Sequence, residues 1–152
     1  MHARNLENVP FWQKPMRVID WALEDPHGSW HHRWTAEQLV QIAVRMNANV
    51  LNMMVVNEWG LAYWPSPHLS VQPEITGEDR FGQVAELARQ AGLHVCGMWG
   101  PSGSPTQVQR HPDWAWRSRD GKKQGWGVLA DEMTFYACMN SPFEDLVNQV
   151  LD

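Results

Sequence analysis

Three short apolar runs recur along this sequence, and they constrain its fold more than any other feature. The runs occupy residues 17–23, 49–56 and 93–99. A long polar loop separates each of the first two runs from an amphipathic stretch, and a very short connection leads from that stretch to the next run. This order predicts parallel strands joined by helices, because a helical crossover is the usual connection between parallel neighbours.

The helices are predicted from their capping residues and their apolar stripes. Thr35 is a favourable N-cap, and Gln38 completes a capping box at the start of a helix over residues 35–47. A second helix is predicted over residues 78–91, with Gly92 as its C-terminal stop. Apolar residues at helical spacing give each helix one buried stripe: Leu39, Ile42, Ala43 and Met46 in the first, and Phe81, Val84, Ala85 and Ala88 in the second.

The segment from residue 101 to residue 140 lacks a helical period, and we expect a long loop that serves as a lid or a substrate subsite. Within it, Asp120-Gly121 is typical of a tight hairpin turn, with Trp116 and Trp126 on its two sides. A last helix is predicted to begin at Ser141-Pro142-Phe143-Glu144, which combines an N-cap serine, a proline at the first position and a capping-box glutamate.

The number of strand–helix units is too small for a complete example of either common α/β architecture. A doubly wound sheet usually has about five strands and a (β/α)8 TIM barrel about 250 residues, whereas this chain has 152 residues and three predicted strands. We therefore predict an α/β fold that is the N-terminal part, about three βα units, of a (β/α)8 TIM barrel. Residues 1–16 are expected to form an irregular leader, and residues 17–152 a partial catalytic barrel that stops in its third main helix.

A partial barrel has an open edge and an interior face that further strands would cover. We expect Val50, Met53, Met54 and Val95 to lie on that interior face. We also expect the remainder of the barrel, or another copy of the chain, to cover the open edge, because unpaired strand edges associate readily.

Charge and motif content exclude several classes of function. The 12 Lys and Arg residues against 17 Asp and Glu give a net charge of −5, which disfavours binding to a nucleic-acid backbone. No segment is apolar over the width of a bilayer, and residues 1–17 lack the apolar core of a signal peptide, so we expect a cytoplasmic protein without a membrane partner. The sequence holds no nucleotide-binding motif, and the spacing of Cys96 and Cys138 fits no zinc site, so we expect neither a cofactor nor a metal.

Tryptophan is unusually frequent, with ten residues against two tyrosines and four phenylalanines. Four of them lie at or just after the ends of predicted strands, where the loops of an α/β fold carry its chemistry: Trp21, Trp59, Trp64 and Trp99. An indole face stacks well on the apolar face of a sugar ring, and its N–H can donate to a hydroxyl. We therefore predict that these four residues bind a carbohydrate substrate. The alternative is that some of them only pack the mouth of the barrel.

Glycoside hydrolysis generally uses two carboxyl groups, one on each side of the bond that is cleaved. The acidic residues at the ends of predicted strands are Asp20, Glu24, Asp25 and Glu58. Glu58 is the best placed, because it follows an apolar strand directly and has a tryptophan beside it that would exclude water. We predict a catalytic role for Glu58 as acid or base. The alternative is a carboxylate that only hydrogen-bonds a sugar hydroxyl or pairs with an arginine.

Several motifs occur in the same order as in two related groups of barrel glycosidases. The segment Ile19-Asp20-Trp21-Ala22 resembles the Ile-His-Trp-Gly motif of α-L-fucosidase-like glycoside hydrolases. Two segments after the second strand resemble the fucosidase Lys-His-His-Asp-Gly-Phe and Trp-Pro-Ser motifs: Val56-Asn57-Glu58-Trp59-Gly60-Leu61 and Tyr63-Trp64-Pro65-Ser66. Three later segments resemble motifs of the hypothetical glycosyl hydrolase 6 family: His111-Pro112-Asp113-Trp114, Asp120-Gly121-Lys122 and Cys138-Met139-Asn140-Ser141-Pro142-Phe143.

The resemblance covers residues 17–152 and implies a carbohydrate-active hydrolase of the α-L-fucosidase-like kind, which cleaves a glycosidic bond. The resemblance places Asp20, Asn57 and Glu58 at positions where the fucosidases have histidines that contact the sugar. We expect Asp20 and Asn57 to contact substrate. Because none of the three residues is histidine, the resemblance does not imply specificity for fucose. The fucosidase nucleophile, an Asp at the end of the fourth strand, would lie beyond Asp152.

Two hypotheses about function remain open at this point. In the first, the chain contributes at most one of the two catalytic carboxylates of a glycoside hydrolase and is inactive alone. In the second, it is part of a non-catalytic carbohydrate-binding barrel, in which the tryptophans hold sugar and the absent histidines mark lost chemistry.

Overall fold

The computed structural model describes most of the chain, namely residues 9–21, 34–75, 77–101, 103–129 and 132–151. Its central feature is a three-stranded sheet formed by β1 (Val18–Trp21), β2 (Val50–Val56) and β3 (His94–Trp99). The strands lie in the order β1-β2-β3, and both neighbouring pairs are parallel. The three predicted strands and their parallel pairing are therefore confirmed.

Two helices cover one face of this sheet, α1 (Ala36–Arg45) and α2 (Arg80–Gln90). Thr35 starts α1 with the predicted capping box. Its hydroxyl accepts from the main-chain N–H of Gln38 at 3.3 Å, and its own N–H donates to the Gln38 side chain at 2.9 Å. The chain leaves α2 through Gly92, whose left-handed φ of 74° agrees with its predicted role as a stop.

The main apolar core lies between these helices and the sheet. Four residues of the two predicted stripes are fully buried there: Leu39, Ala43, Val84 and Ala88. Met46, which the spacing also assigns to the first stripe, is instead 66% exposed. The reason is that α1 ends at Arg45, so the helical spacing no longer applies at the next residue. The other members of this core are Ala36, Val40, Leu51, Met53 and Leu93.

Side chains alternate between the two faces of the sheet, and the register shows which residues share a face. The face toward the helices carries Ile19, Trp21, Leu51, Met53 and Val95. The opposite face carries Asp20, Asn52 and Cys96, which are aligned across the three strands. In a TIM barrel the helices lie outside, so this second face is the one that lines the interior.

The alternation corrects one expectation about the interior face. The expectation placed Met53 and Val95 there, but both pack in the core under the helices. The cause is the two-residue period of a strand, which places neighbours such as Met53 and Met54 on opposite sides. Met54 does lie on the interior face, where it packs against Tyr63 and Ile75 from the loop after β2.

The leader predicted before residue 17 is attached to the sheet over its described part. Phe11–Gln13 form one turn of 3-10 helix. The ring of Phe11 stacks on the imidazole of His94, the first residue of β3, with the ring centres 4.2 Å apart. The side-chain amide of Asn49 donates to the carbonyl oxygen of Pro15 at 2.9 Å. These contacts fix the leader at the N-terminal edge of the sheet.

The segment between β3 and the last helix contains more regular structure than predicted. Its elements are α3 (Pro105–Arg110) and an antiparallel pair of strands, β4 (Gly125–Leu129) and β5 (Glu132–Phe135). A helix of six residues is too short to show an apolar period, so the apolar pattern does not predict α3. The predicted turn at Asp120-Gly121 is confirmed by an antiparallel bridge between Arg117 and Lys123. The side chain of Trp126 lies outside the described part of the chain.

The last helix, α4 (Phe143–Leu151), begins just after the predicted N-cap residue Ser141. The hydroxyl of Ser141 accepts from the N–H of Phe143 at 3.3 Å. A second core contains buried residues from α3, α4 and the segments between them: Val108, Ala115, Ala137, Phe143 and Val147. Trp99 packs against this core, which therefore joins α4 to the end of β3.

Candidate functional site at the carboxyl edge of the sheet

The carboxyl ends of three parallel strands lie at one edge of the sheet, which is where α/β folds gather their chemistry. Two loops shape this edge. The β2 loop, residues 57–79, leads from β2 to α2, and the β3 loop, residues 100–104, leads from β3 to α3. The predicted site residues all lie on the β2 loop or near the ends of strands: Asp20, Trp21, Asn57, Glu58, Trp59, Trp64 and Trp99.

The β2 loop begins with a tight turn that Asn57 holds together. The side-chain oxygen of Asn57 accepts from the main-chain N–H groups of Trp59 and Leu61, each at 3.0 Å. Its main-chain carbonyl accepts from the N–H of Gly60 at 2.9 Å, and Gly60 adopts a left-handed φ of 78° that favours glycine. Glu58 lies within this turn, so the hydrogen bonds of its neighbours fix its backbone.

The amide nitrogen of Asn57 is engaged as well. It donates to Oε1 of Gln72 at 2.9 Å, and Nε2 of Gln72 donates to Glu74 at 2.7 Å. Asn57 is 1% exposed and Gln72 is 0% exposed. A buried polar network in which the members find partners makes a loop rigid. Asn57 thus organises the β2 loop, and the substrate contact predicted for it stays a prediction.

The side chain of Glu58 reaches from the β2 loop to the β3 loop. A Cβ atom added to Gly103 would lie 2.6 Å from Oε2 of Glu58, and one added to Gly100 would lie 3.9 Å from Oε1. The N–H of Gly103 donates to the carbonyl of Gly100 at 3.2 Å, so the two glycines belong to one turn. The half-buried Glu58 therefore packs its carboxylate against the main chain of this turn.

Further contacts join the β2 loop to the β3 loop and to the start of α3, through residues that the sequence pattern did not indicate as functional. The hydroxyl of Thr106 donates to the main-chain carbonyl of Trp59. The side chain of Ser104 is buried against Gly60, where an added Cβ would lie 3.1 Å from Oγ of Ser104. These contacts set the position of one loop relative to the other.

Two polar atoms at this junction are buried without a hydrogen-bond partner among the described residues, Oγ of Ser104 and Nε2 of Gln107. A sequence signal for them exists. Ser104-Pro105-Thr106-Gln107 has the form of a helix start, with a serine, a proline at the first position and a glutamine at the third. This pattern predicts that Ser104 caps a helix. It therefore indicates that α3 begins here, but it does not indicate that these side chains join the two loops.

Asp20 and Asn52 form a polar pair on the interior face of the sheet. The amide nitrogen of Asn52 lies 3.2 Å from Oδ1 of Asp20 and 3.7 Å from the sulfur of Met98. Asp20 is exposed, and Asn52 is partly buried. A carboxylate beside an amide offers both acceptors and donors to a hydroxyl-rich ligand. The substrate contact predicted for Asp20 stays a prediction.

Trp21 and Trp59 are held mainly by packing. Trp21 faces the helices and packs against the main core, and its indole N–H is buried without a partner in the described part of the chain. Because successive residues of a strand point to opposite faces, Trp21 and Asp20 do not share a face. Trp59 is only 8% exposed. The sugar contacts predicted for both tryptophans stay predictions.

Trp64 and Trp99 are brought together by the structure. Both are half-buried, and both line a cavity of about 530 Å³ between α2 and α4. Gly97 forms part of its wall and is aligned with Met53, so the cavity lies on the face of the sheet toward the helices. Asp79 also lines the cavity, and its carboxylate caps α2. These two tryptophans therefore lie away from the interior face that carries Asp20.

Within 9–21, 34–75, 77–101, 103–129 and 132–151, no group of three or more His, Cys, Asp or Glu side chains is placed to hold a metal ion. No helix in those ranges is both long and apolar enough to cross a bilayer. Glu24 and Asp25, two of the four candidate carboxylates, lie outside the described residues.

Comparison with known proteins relates this sequence to one family. A sequence model of the family described as "Hypothetical glycosyl hydrolase 6" matches residues 35–152, which is most of the chain. No curated protein matches the sequence.

The solved structures that share the fold include a fucosidase, a galactosidase and a hypothetical protein. The alpha-L-fucosidase isoenzyme 2 from Paenibacillus thiaminolyticus matches 90% of the chain with a TM-score of 0.73 and 20% identity. The alpha-galactosidase from Thermus thermophilus matches 90% with a TM-score of 0.50 and 18% identity. A hypothetical protein from Ruminiclostridium thermocellum matches 88% with a TM-score of 0.53 and 12% identity.

The chain spans 21%, 27% and 69% of the lengths of these three proteins, respectively. At such low identities the similarity shows the fold alone. The fold class predicted from the sequence, part of a TIM barrel built from βα units, is thereby confirmed.

Proposed function

The chain belongs to the hypothetical glycosyl hydrolase 6 family, and we propose that it forms part of a carbohydrate-active hydrolase in which Glu58 acts on a glycosidic bond. The observation that carries this proposal is the position of Glu58. Its carboxylate lies at the carboxyl edge of a parallel sheet, half-buried against Gly103, on a turn that Asn57 fixes. Catalytic residues of TIM-barrel enzymes occupy this edge.

Cleavage of a glycoside requires a carboxylic acid that protonates the leaving oxygen and a second carboxylate across the sugar. The two groups lie about 5–5.5 Å apart in retaining enzymes and about 6.5–9.5 Å apart in inverting ones. Glu58 suits the role of acid or base, because its carboxylate is partly shielded from water and held between two loops. By the resemblance to the fucosidases, we propose that the second carboxylate comes from sequence after Asp152.

Asp20 is proposed to contact the substrate from the interior face. With Asn52 beside it, the carboxylate can accept from one sugar hydroxyl while the amide donates to a neighbouring one. The proposed activity is fucosidase-like in its barrel and its pair of carboxyl groups. The resemblance does not carry specificity for fucose, because Asp20, Asn57 and Glu58 stand where the fucosidases have histidines.

The outer edges of β1 and β3 favour pairing with strands from a further partner. Within the described residues, β1 and β3 each pair only with β2. The outer edges of such strands carry N–H and C=O groups that a closed barrel pairs with further strands. We propose that the remainder of a barrel, or another copy of the chain, covers these edges.

The test is steady-state hydrolysis of aryl glycosides by a polypeptide that carries this chain within a complete barrel. Glu58→Gln is expected to lower kcat by about 100-fold or more with little change in KM, because general acid–base catalysis contributes about 10²–10⁴-fold. Glu144→Gln, at an exposed position of α4, is the matched control and should leave both constants unchanged.

Other results of the same experiment would contradict the proposed role of Glu58 or the proposed activity. A rise in KM with unchanged kcat would make Glu58 a binding residue, and no change in either constant would overturn its role. A complete barrel that binds sugars saturably and hydrolyses none of these glycosides would favour the alternative, a non-catalytic carbohydrate-binding barrel.

A further inference from the structure

Gly103 lies so close to the carboxylate of Glu58 that a side chain would not fit between them. An added Cβ would be 2.6 Å from Oε2, 3.7 Å from Cδ and 3.5 Å from the main-chain oxygen of Glu58. Cβ atoms in proteins essentially never approach another heavy atom within 3.0 Å. Alanine at position 103 would therefore displace the carboxylate.

The backbone of Gly103 does not itself require glycine. Gly60 and Gly121 have left-handed φ angles of 78° and 82°, whereas the φ of Gly103 lies outside that region. The space that Glu58 occupies is thus the reason why a side chain does not fit. Gly100, in the same turn, leaves an ordinary contact distance of 3.9 Å to the same carboxylate.

The backbones on both sides of the contact are anchored, so the strain from an added Cβ falls on the side chain of Glu58. Asn57 holds the turn that carries Glu58 through the N–H groups of Trp59 and Leu61. The β3 loop is tied through a bridge between Gly103 and Tyr136. A Cβ at position 103 would therefore rotate the flexible end of Glu58 into another rotamer and leave the fold in place.

We propose that Gly103 is a positioning residue, which by lacking a side chain lets the β3 loop hold the Glu58 carboxylate in one orientation at the carboxyl edge. This inference rests on the proposed function of Glu58. Misplacing a reacting group by about 1 Å can cost about 100-fold in rate, so a small structural change here has a large kinetic effect.

The kinetic test compares Gly103→Ala with Gly100→Ala in the complete barrel. We expect Gly103→Ala to lower kcat by about 10–100-fold while KM changes less than about threefold. Gly100→Ala should change each constant by less than about twofold, because its Cβ makes only an ordinary contact. Equal losses in the two variants, or an unchanged kcat in Gly103→Ala, would overturn the proposal.

A second measurement needs no activity and isolates the contact. Melting temperatures are compared for the 152-residue chain, Gly103→Ala, Glu58→Ala and the double variant. With Glu58 present, Gly103→Ala should lower the melting temperature by about 2–4 °C. In the Glu58→Ala background, Gly103→Ala should hardly change the melting temperature, because the space that Glu58 fills is then empty.

The two measurements separate the possible failures. A loss that persists in the Glu58→Ala background, including a failure to fold there, would mean that glycine is needed for structure alone and would overturn the positioning role. A chain that folds with Gly103→Ala only after Glu58 is removed would support it. The proposed function fails separately, if Glu58→Gln leaves kcat unchanged while the melting temperatures still report the contact.

Discussion

Two helices of this protein begin with the same pattern of residues but use it differently. Ser104-Pro105-Thr106-Gln107 starts α3, and Ser141-Pro142-Phe143-Glu144 starts α4. At α4 the hydroxyl of Ser141 accepts from Phe143 at 3.3 Å and donates to the carbonyl of Cys138 at 2.6 Å. At α3 the hydroxyl of Ser104 makes no cap, and it has no partner among the described residues.

The difference follows from what surrounds each serine. Ser141 is half-buried, whereas Ser104 is 1% exposed and lies against Gly60, where the two loops that hold Glu58 meet. The local sequence favours a cap at both helices, so packing between the loops overrides it at α3. Local rules are most often broken at functional sites, where the structure is constrained by more than stability. The comparison of the two serines therefore indicates a functional site at the carboxyl edge of the sheet, where Glu58 also lies.

The largest effect is expected from Asn57→Ala, which removes the support of the turn on which Ser104 packs. The N–H groups of Trp59 and Leu61 and the side chain of Gln72 would lose their buried partner. Each such loss costs about 1–3 kcal/mol, with partial relief from water, so we expect the free energy of unfolding to fall by about 2–4 kcal/mol.

Urea denaturation measures this change, with Asn148→Ala as the matched control. Asn148 lies at an exposed position of α4, and its replacement should change the free energy of unfolding by less than about 0.5 kcal/mol. An equal effect of the two substitutions would show that Asn57 does not support the β2 loop.

A smaller loss is expected from Ser141→Ala. The substitution removes the hydroxyl that accepts from Phe143 and donates to Cys138. Loss of an N-cap typically costs about 0.5–2 kcal/mol, and the same denaturation experiment measures it. A change near zero in the free energy of unfolding would contradict the expected difference between the serines that start α3 and α4.

The smallest effect is expected from Ser104→Ala, although the sequence context is the same. The hydroxyl of Ser104 makes no hydrogen bond within the described residues, so its removal gives up no such interaction. We expect a change within about 0.5 kcal/mol of zero in the free energy of unfolding. A loss as large as that of Ser141→Ala would show that Ser104 has a partner that stabilises the fold.

The strands and the two long helices could be predicted from sequence because their signals are local. Apolar runs, capping residues and a terminal glycine mark each element, and the parallel arrangement follows from the lengths of the connections. What could not be predicted depends on distant contacts. The pairing of β4 with β5 is one case, since neither strand has a pattern that identifies its partner.

The location of the candidate site could be predicted from sequence, but the contacts between its side chains could not. Glu58 could be placed at the carboxyl edge because it lies two residues after the end of β2. Its contact with Gly103 could not, because the two residues are far apart in sequence and meet only when the loops pack. Trp21 illustrates the same limit: its place at a strand end is a local property, but its packing under the helices depends on the register of the whole sheet.

The most direct test of Glu58 as the acid or base is the pH dependence of kcat/KM for an aryl glycoside. It is measured with the complete barrel that carries this chain, with and without Glu58→Gln. We predict a bell-shaped profile with Glu58 and the loss of one limb in Glu58→Gln, because each limb reports the titration of one essential group of the free enzyme. A Glu58→Gln profile that keeps both limbs at the same pH values would contradict the assignment.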